Sequence, residues 1–286
     1  MTDIRDQAYL SGEDVKQLNF IKDSRQYVFR KYYRSGLRSH IFEVLLAGDV
    51  EKETQGVILD GIRVFPKAVP IKMFRIFRSR FDSKDEIFFE IKRYKTLLDH
   101  LGPAFIARSE EFITDYRGTG TTRILLCGLQ EYIHGEILDP WRLSGRENLT
   151  ALLSSMPHPG DMDSRLQTAV TSVRDFVRGI RELITTTGYI PDLAGVGNLI
   201  ITPGGGIKLV DINNIVEIKK DHTVHLDDKG YPACDVSIQV LSILETKLLN
   251  KNLSRTDPLF KLFLHPERLE TVKAIEREFY KTLGTD

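Results

Sequence analysis

The sequence predicts an α+β chain in two unlike parts, and three observations carry that expectation. Up to about residue 130 the apolar runs are short and broken by turn residues, as antiparallel strands require. After Pro140 the apolar residues recur instead at helical spacing. With 286 residues, 41% of them apolar, the chain can bury a core as one large domain or as two lobes sharing a cleft. The expected division is a β-rich part over 1–130, built as an antiparallel sheet with one helix, and a mainly helical part over 131–286.

The strands are read from YVFRKYY, HIFEVLL, GVILDGIRVF, VPIKMFRIF, EFIT and RILLCGL, taken in order as a meander. One helix interrupts them, in KDEIFFEIKRYKTLLDHLG. There Ile87, Ile91, Tyr94 and Leu98 fall at helical spacing, Ser83 and Asp85 supply acceptors at the front, and Gly102 stops the run. In the second part, SRLQTAVTSVRDFVRGIRELITTTG carries a continuous apolar stripe from Leu166 through Phe176 to Ile184. RENLTALLSSM precedes it as a shorter helix. CDVSIQVLSILETKLLN and PERLETVKAIEREFYKTLG follow as two more, with PLFKLFL between them.

Lys plus Arg equals Asp plus Glu at 40 each, so the net field favours neither a polyanion nor a membrane surface. No segment reaches the run of about 18 apolar residues that a membrane span needs, and the acidic N-terminus lacks the form of a secretory signal. A cytoplasmic protein is expected. Cys127 and Cys234, far apart, suit a reducing compartment and form no metal knuckle. His222 and His225 lack the spacing of a helical zinc site. RQYVFRKYYRSGLR interleaves cations with aromatics and raises a nucleic-acid alternative, but a strand with one wet face explains it as well, so nucleic acid is not the expected partner. GTGTT at Gly118 has no helix after it and reads as a hairpin loop.

The informative stretch is YIPDLAGVGNLIITPGGGIKLVDINN, residues 189–214. NLIIT and IKLVD form two β-rich arms joined by PGGG, whose glycines allow the positive φ of a tight hairpin turn. Asn198 and Asp211 lie just outside the arms at the same end, where an amide oxygen and a carboxylate can share a hard cation such as Mg2+. Asp192, at the exit of the long helix, is placed to orient or deprotonate a hydroxyl.

These residues resemble the catalytic core of the protein-kinase-like superfamily, which includes protein kinases and aminoglycoside and choline phosphotransferases. In that family a catalytic-loop Asp, an Asn and a metal-binding Asp follow one another as Asp192, Asn198 and Asp211 do here. The resemblance runs through most of the chain. Lys72 in VPIKMF is similar to the strand lysine that grips the phosphates. Glu90, with Glu86 one turn earlier as a substitute, is similar to its helical partner. LLCGLQEYIHG resembles the hinge, and Asp235 resembles the aspartate that braces the catalytic loop from a buried helix. The resemblance implies a two-lobed fold binding ATP near Gln130 to His134, with Glu131 and Ile133 along the nucleotide. Asn198 and Asp211 would hold magnesium, and the acceptor would be an unidentified small molecule or protein.

The pattern also departs from the family. Asn198 lies six positions after Asp192, whereas the family separates this pair by five. Gly195 and Gly197 are the residues able to absorb the insertion. Ile190 and Pro191 replace the family's His and Arg, Ala194 replaces a lysine, and LLAGDVEKETQGVIL stands where a glycine-rich loop is expected, with only Gly48 and Gly56. Pro70 removes a ladder donor just before the lysine, and no long activation segment separates Asp211 from Asp235. These departures keep a second expectation open, a pseudokinase that binds nucleotide or a partner and transfers nothing.

Overall fold

The structure, a computed structural model, describes residues 3–32, 38–117, 122–253 and 257–283. It divides into two compact units, Met1–Lys92 with Arg108–Tyr132, and Arg93–Ala107 with Ile133–Asp286. Residues 93–107, expected in the β-rich part, therefore belong to the helical one.

In the first unit a short helix α1 (Gly12–Lys16), closed by a capping box between Ser11 and Asp14, precedes β1 (Tyr27–Lys31) and β2 (Ser39–Leu46). Then come helix α2 (Ala47–Gln55), strands β3 (Val57–Leu59), β4 (Ile62–Val64) and β5 (Lys72–Phe77), helix α3 (Lys84–Phe105), and strands β6 (Ser109–Arg117) and β7 (Thr122–Glu131). Five strands form one antiparallel sheet in the order β1-β2-β5-β7-β6. The expected meander is thus interrupted. GVILDGIRVF does form a hairpin, turned by Asp60 (φ 50°) and Gly61 (φ 80°), but it stands as a separate β3–β4 ribbon. LLAGDVEKETQ, read as the site of a glycine-rich loop, instead supplies α2. Residues 33–37, between β1 and β2 in sequence, lie outside the described residues.

The two faces of the sheet are covered differently. Ile4, Leu10, Val15 and Leu18 of the N-terminal segment pack on Phe29, Phe42, Val44, Phe74, Ile76, Leu125 and Cys127. On the opposite face Ile87 and Ile91 of α3 pack against Phe77, Leu126, Ile113 and Ile124. Alternation along β5 fixes this assignment, because Phe74 and Ile76 point one way and Arg75 and Phe77 the other.

In the second unit the order is β8 (Glu136–Ile137), a 3-10 turn (Pro140–Arg142), α4 (Glu147–Ser155), α5 (Met162–Thr187), β9 (Tyr189–Pro191), β10 (Leu199–Ile201), β11 (Ile207–Leu209) and β12 (Ile215–Glu217). Helix α6 (Ala233–Ile243), a π turn (Leu244–Leu248), α7 (Pro258–Phe263) and α8 (Pro266–Thr282) complete it. The stripe on α5 is the centre of this unit's core, with Val173, Phe176 and Ile180 fully buried among Leu97, Leu101, Leu209, Ile238 and Leu241. Asp161 caps the front of α5, and Gly188 in the left-handed region (φ 73°) ends it and turns the chain directly into β9. Gly102 (φ 72°) breaks α3 where the sequence places its stop. No described helix is long and apolar enough to cross a membrane.

Candidate active site

In the second unit the site is built on two short antiparallel pairs. β10 and β11 pair from Leu199 opposite Leu209 to Ile201 opposite Ile207, and the PGGG turn closes the far end through the Gly206 carbonyl, which accepts from Thr202 N–H at 2.8 Å. Gly205 (φ 93°) leaves no room for a side chain, since a Cβ there would come within 2.5 Å of the Arg165 carbonyl oxygen. At the open end Val210 N–H donates to the Asn198 carbonyl at 2.9 Å. The hairpin therefore delivers Asn198 from one arm and Asp211 from just beyond the other.

The second pair, β9 with β12, sets Pro191 opposite Ile215, and one step further Asp192 N–H donates to the Asn214 carbonyl at 2.8 Å. Three polar side chains meet at this junction. Asn214 Nδ2–H donates to Asp192 Oδ2 at 3.0 Å, Ala194 N–H donates to Asp192 Oδ1 at 2.8 Å, and Asn198 Nδ2–H donates to the Asp192 carbonyl at 3.0 Å. Asp192 and Asn214 are both buried. The structure thus brings together Asp192, Asn198 and Asn214. The second Asn of DINN was the available signal for Asn214.

The six-residue loop is accommodated by its glycines. Gly197 takes φ 101°, and a Cβ on Gly195 would lie 2.6 Å from Asn198 Oδ1 and 2.8 Å from Nδ2, so only glycine lets the amide fold back onto Asp192. Because Asn198 spends its Nδ2 on the Asp192 carbonyl, its Oδ1 is the atom left to accept or ligate. That oxygen and the half-buried Asp211 carboxylate, whose Oδ1 accepts weakly from Asn213 N–H at 3.4 Å, are hard oxygen donors, and a magnesium ion fits such a set. Among the described residues no cluster of three His, Cys, Asp or Glu side chains offers an alternative metal site. His225 spends Nε2 on the Asp221 carboxylate at 2.9 Å.

Asp235 does not brace the loop as expected. Its carboxylate is taken by Arg268, and the loop is held instead by Ser237 Oγ, which accepts from Leu193 N–H at 3.0 Å. Both residues lie on α6, and two positions of helix turn them to different sides, so Ser237 and not Asp235 faces the loop. Trp141 adds a further support, its indole Nε1–H donating to the Ala194 carbonyl at 3.1 Å.

In the first unit the expected Lys72–Glu90 ion pair does not form. Lys72 lies on the strand face of Phe74 and Ile76, which the N-terminal segment covers, whereas α3, carrying Glu90 and Glu86, packs on the other face. The buried cation on the α3 side is Arg75, three residues later in β5. Arg75 Nη2 donates to Glu111 Oε1 at 2.6 Å and to Ser109 Oγ at 3.0 Å. The strand register sets Lys72 directly opposite Glu131, the last residue of β7. Glu131 N–H donates to the Arg108 carbonyl at 2.8 Å, and Ile133, in the second unit, is buried.

The cation-rich stretch 25–38 lies partly outside the described residues. Within them, Arg30 pairs with Glu53 and Glu43, and Lys31 Nζ sits 4.7 Å from the centroid of the Phe42 ring. Most of the GTGTT loop, residues 118–121, also lies outside them. Both cysteines are buried, and burial pushes the Cys234 thiol up to about 12.

No family model matches the chain, and no curated protein matches it. Among solved structures it is similar to one described as the ROP18 kinase domain in complex with AMP-PNP and sucrose, at 12% identity over 91% of this chain and 74% of that one, with a TM-score of 0.35. A likeness of that depth assigns no role to any residue.

Proposed function

We propose that the chain is an ATP- and magnesium-dependent phosphotransferase of the protein-kinase-like type, acting on a hydroxyl acceptor in the cytoplasm. One observation carries this reading. The Asp192 carboxylate is fixed by Ala194 N–H and Asn214 Nδ2, while Asn198 grips the same residue's carbonyl at the open end of the hairpin that also delivers Asp211. A strand-end Asp and Asn satisfying solvent would not need three mutually dependent contacts in a buried junction.

In this reading the acceptor oxygen attacks the γ-phosphorus of ATP, the bond from phosphorus to the ADP oxygen breaks, and the acceptor proton passes to Asp192. Asn198 Oδ1 and Asp211 would hold magnesium, which when bound neutralises charge on the phosphate oxygens. The adenine would lie along the Gln130 to His134 segment beside Glu131 and Ile133. Lys72 stays in the reading only through its place opposite Glu131. The acceptor is a small molecule or a protein side chain.

A test is phosphoryl transfer from γ-labelled ATP, in magnesium, to a panel of serine peptides, sugars and amino alcohols, with wild type and Asp192→Ala compared. Transfer by wild type to one class, lost in the variant, is the expected outcome. Label transfer or ATP hydrolysis no greater than in Asp192→Ala would sink the enzymatic reading.

The alternative, a pseudokinase acting as a nucleotide-binding or regulatory module, is favoured by a different observation. Arg75 pairs with Glu111 on the face that α3 covers, and Lys72 lies on the face that the N-terminal segment covers, an arrangement unlike the lysine–glutamate pair of the family. Magnesium-dependent ATP binding without turnover would select it.

A further inference from the structure

We propose that the β3–β4 ribbon is a self-association arm, pairing through the outer edge of β3 with the same strand of a second copy of this chain. The ribbon lies in the run 47–71 that separates β2 from β5 in sequence, although those two strands are neighbours in the sheet. Among the described residues no third strand joins it. Ile58, Leu59, Ile62 and Phe65 are 58 to 67% exposed, with Val69 and Ile71 at 47% and 44%. At about 100 Å² each, these six side chains present roughly 600 Å² of apolar surface, the upper end of a monomer's largest patch and most of the ~800 Å² that one partner gives to a standard interface. Leu59 and Ile62 are cross-strand neighbours on one face of the ribbon, while Ile58 and Phe65 lie on the other. With apolar residues on both faces, the ribbon cannot turn all of them toward its own unit. Its base is anchored all the same. Glu53 pairs with Arg30 of β1 and accepts from Ala68 N–H at 3.2 Å, and Ile71 N–H donates to the Val44 carbonyl at 2.9 Å.

The charge pattern selects a second copy as the occupant. Residues 47–71 carry four acidic against three basic side chains, and the tip carries Asp60, which does not suit an anionic bilayer. Arg63 leans across its own hairpin: a Cβ on Gly56 would lie 2.8 Å from Arg63 Cγ, and Arg63 Nη1 donates to the Gln55 carbonyl at 2.6 Å. The guanidinium is thereby placed beside the start of β3. An antiparallel copy of β3 centred on Ile58 sets Val57 against Leu59 and Ile58 against Ile58, with no charged side chain in the three positions. The same register brings the partner copy's Asp60 against Gly56, next to that guanidinium. A two-fold axis through Ile58 repeats the contact, so two Asp60–Arg63 pairs flank an apolar centre.

The experiment is sedimentation equilibrium of the full chain, wild type and variants, with thermal unfolding of each as a check on folding. Wild type is expected to dimerise at micromolar concentration. Ile58→Asp, which sets two carboxylates at the axis, should raise the dimer dissociation constant about 100-fold, and Arg63→Asp or Asp60→Arg alone about 10-fold. Mixing the Arg63→Asp and Asp60→Arg proteins should restore a dimer of wild-type strength, because each copy then offers the charge that the other needs. A wild type still monomeric at about 100 μM overturns the proposal, as does a dimer that Ile58→Asp leaves intact. A mixture that associates no more tightly than its two components overturns it as well. So does a monomeric wild type that sediments with vesicles of phosphatidylcholine and phosphatidylserine and loses that binding in Ile58→Asp, which would assign the arm to a membrane. If Asp60→Arg unfolds at its positive-φ turn, Ile58→Asp and Arg63→Asp decide.

Discussion

Asp235 and Arg268 form a buried, two-point ion pair between the start of α6 and the start of α8, with Arg268 Nε donating to Oδ1 at 2.5 Å and Nη2 to Oδ2 at 3.2 Å. The same guanidinium donates to the carbonyls of Asp221 and Thr223 at 2.6 and 3.1 Å and lies 4.3 Å from the centroid of the Phe263 ring. Burial raises the Asp235 carboxyl pKa and the guanidinium opposes it. One arginine therefore ties the segment after β12 to two helices.

Removing one partner should be costly. Arg268→Leu strands a buried carboxylate and two carbonyls, and a loss of about 3–5 kcal/mol is expected in denaturant unfolding. Arg268→Lys should recover only part of it, because an ammonium cannot bridge both oxygens in the plane. A loss below about 1 kcal/mol in Arg268→Leu would show the pair to be dispensable.

His40 gives the first unit an acid sensitivity. Its buried ring donates from Nε2–H to the Ile4 carbonyl at 3.1 Å, with Arg78 Nη2 3.5 Å from Nδ1. Burial, then the charges of Arg78 and Lys31, push its pKa from 6.5 down to about 4. The folded state takes up the proton less readily than the unfolded one. Its stabilising contribution is therefore complete above 6.5, shrinks as pH falls below that value, and is lost below about 4. The full effect is on the order of 3 kcal/mol. The stability gap between wild type and His40→Asn should narrow steadily from pH 7 to pH 4.5; a gap independent of pH would assign the sensitivity elsewhere.

The Arg75–Glu111 pair makes a separate expectation. Both side chains are almost wholly buried, at 6% and 3% exposed. Glu111→Leu alone should cost about 3–5 kcal/mol, whereas Glu111→Leu with Arg75→Met should recover most of it, since a packed apolar pair replaces the desolvated charges. Lys72→Ala, on the other face, should stay within about 0.5 kcal/mol of wild type. Equal effects of Lys72→Ala and Arg75→Met on stability would contradict the assignment of faces.

Gly195→Ala tests the loop. Its Cβ would press on Asn198 at 2.6 Å and turn the amide off Asp192. Magnesium-dependent nucleotide affinity should then fall about 10- to 100-fold, as when an oriented ligand loses its support, with little change in the melting temperature. Unchanged affinity would mean that Asn198 does not need its bond to Asp192.

The α+β class and the hairpin bearing Asn198 and Asp211 could be read from the sequence because both rest on local patterns: period-two runs, a stripe on α5 and a glycine turn. The insertion in LAGVG could be read too, with the two glycines that absorb it. The choice of face could not. Lys72 and Arg75 differ by three positions in one strand, and only the covering of each face decides which of them lies on the side that α3 covers. Helix α2 was hidden because it buries no residue and so leaves no apolar period. Ser237 and Asn214 were missed for a third reason, since a polar residue's partner across 44 or 22 positions is set by packing and not by its neighbours in the chain.

The measurement that reaches the central claim most directly is calorimetric titration of ATP, with and without magnesium, into wild type and Asp211→Ala. The phosphotransferase reading expects ATP binding to wild type to be strengthened by magnesium, and that increment to vanish in Asp211→Ala while the variant keeps the wild-type melting temperature. ATP bound equally well with and without the metal, or with the same magnesium dependence in Asp211→Ala, would contradict it.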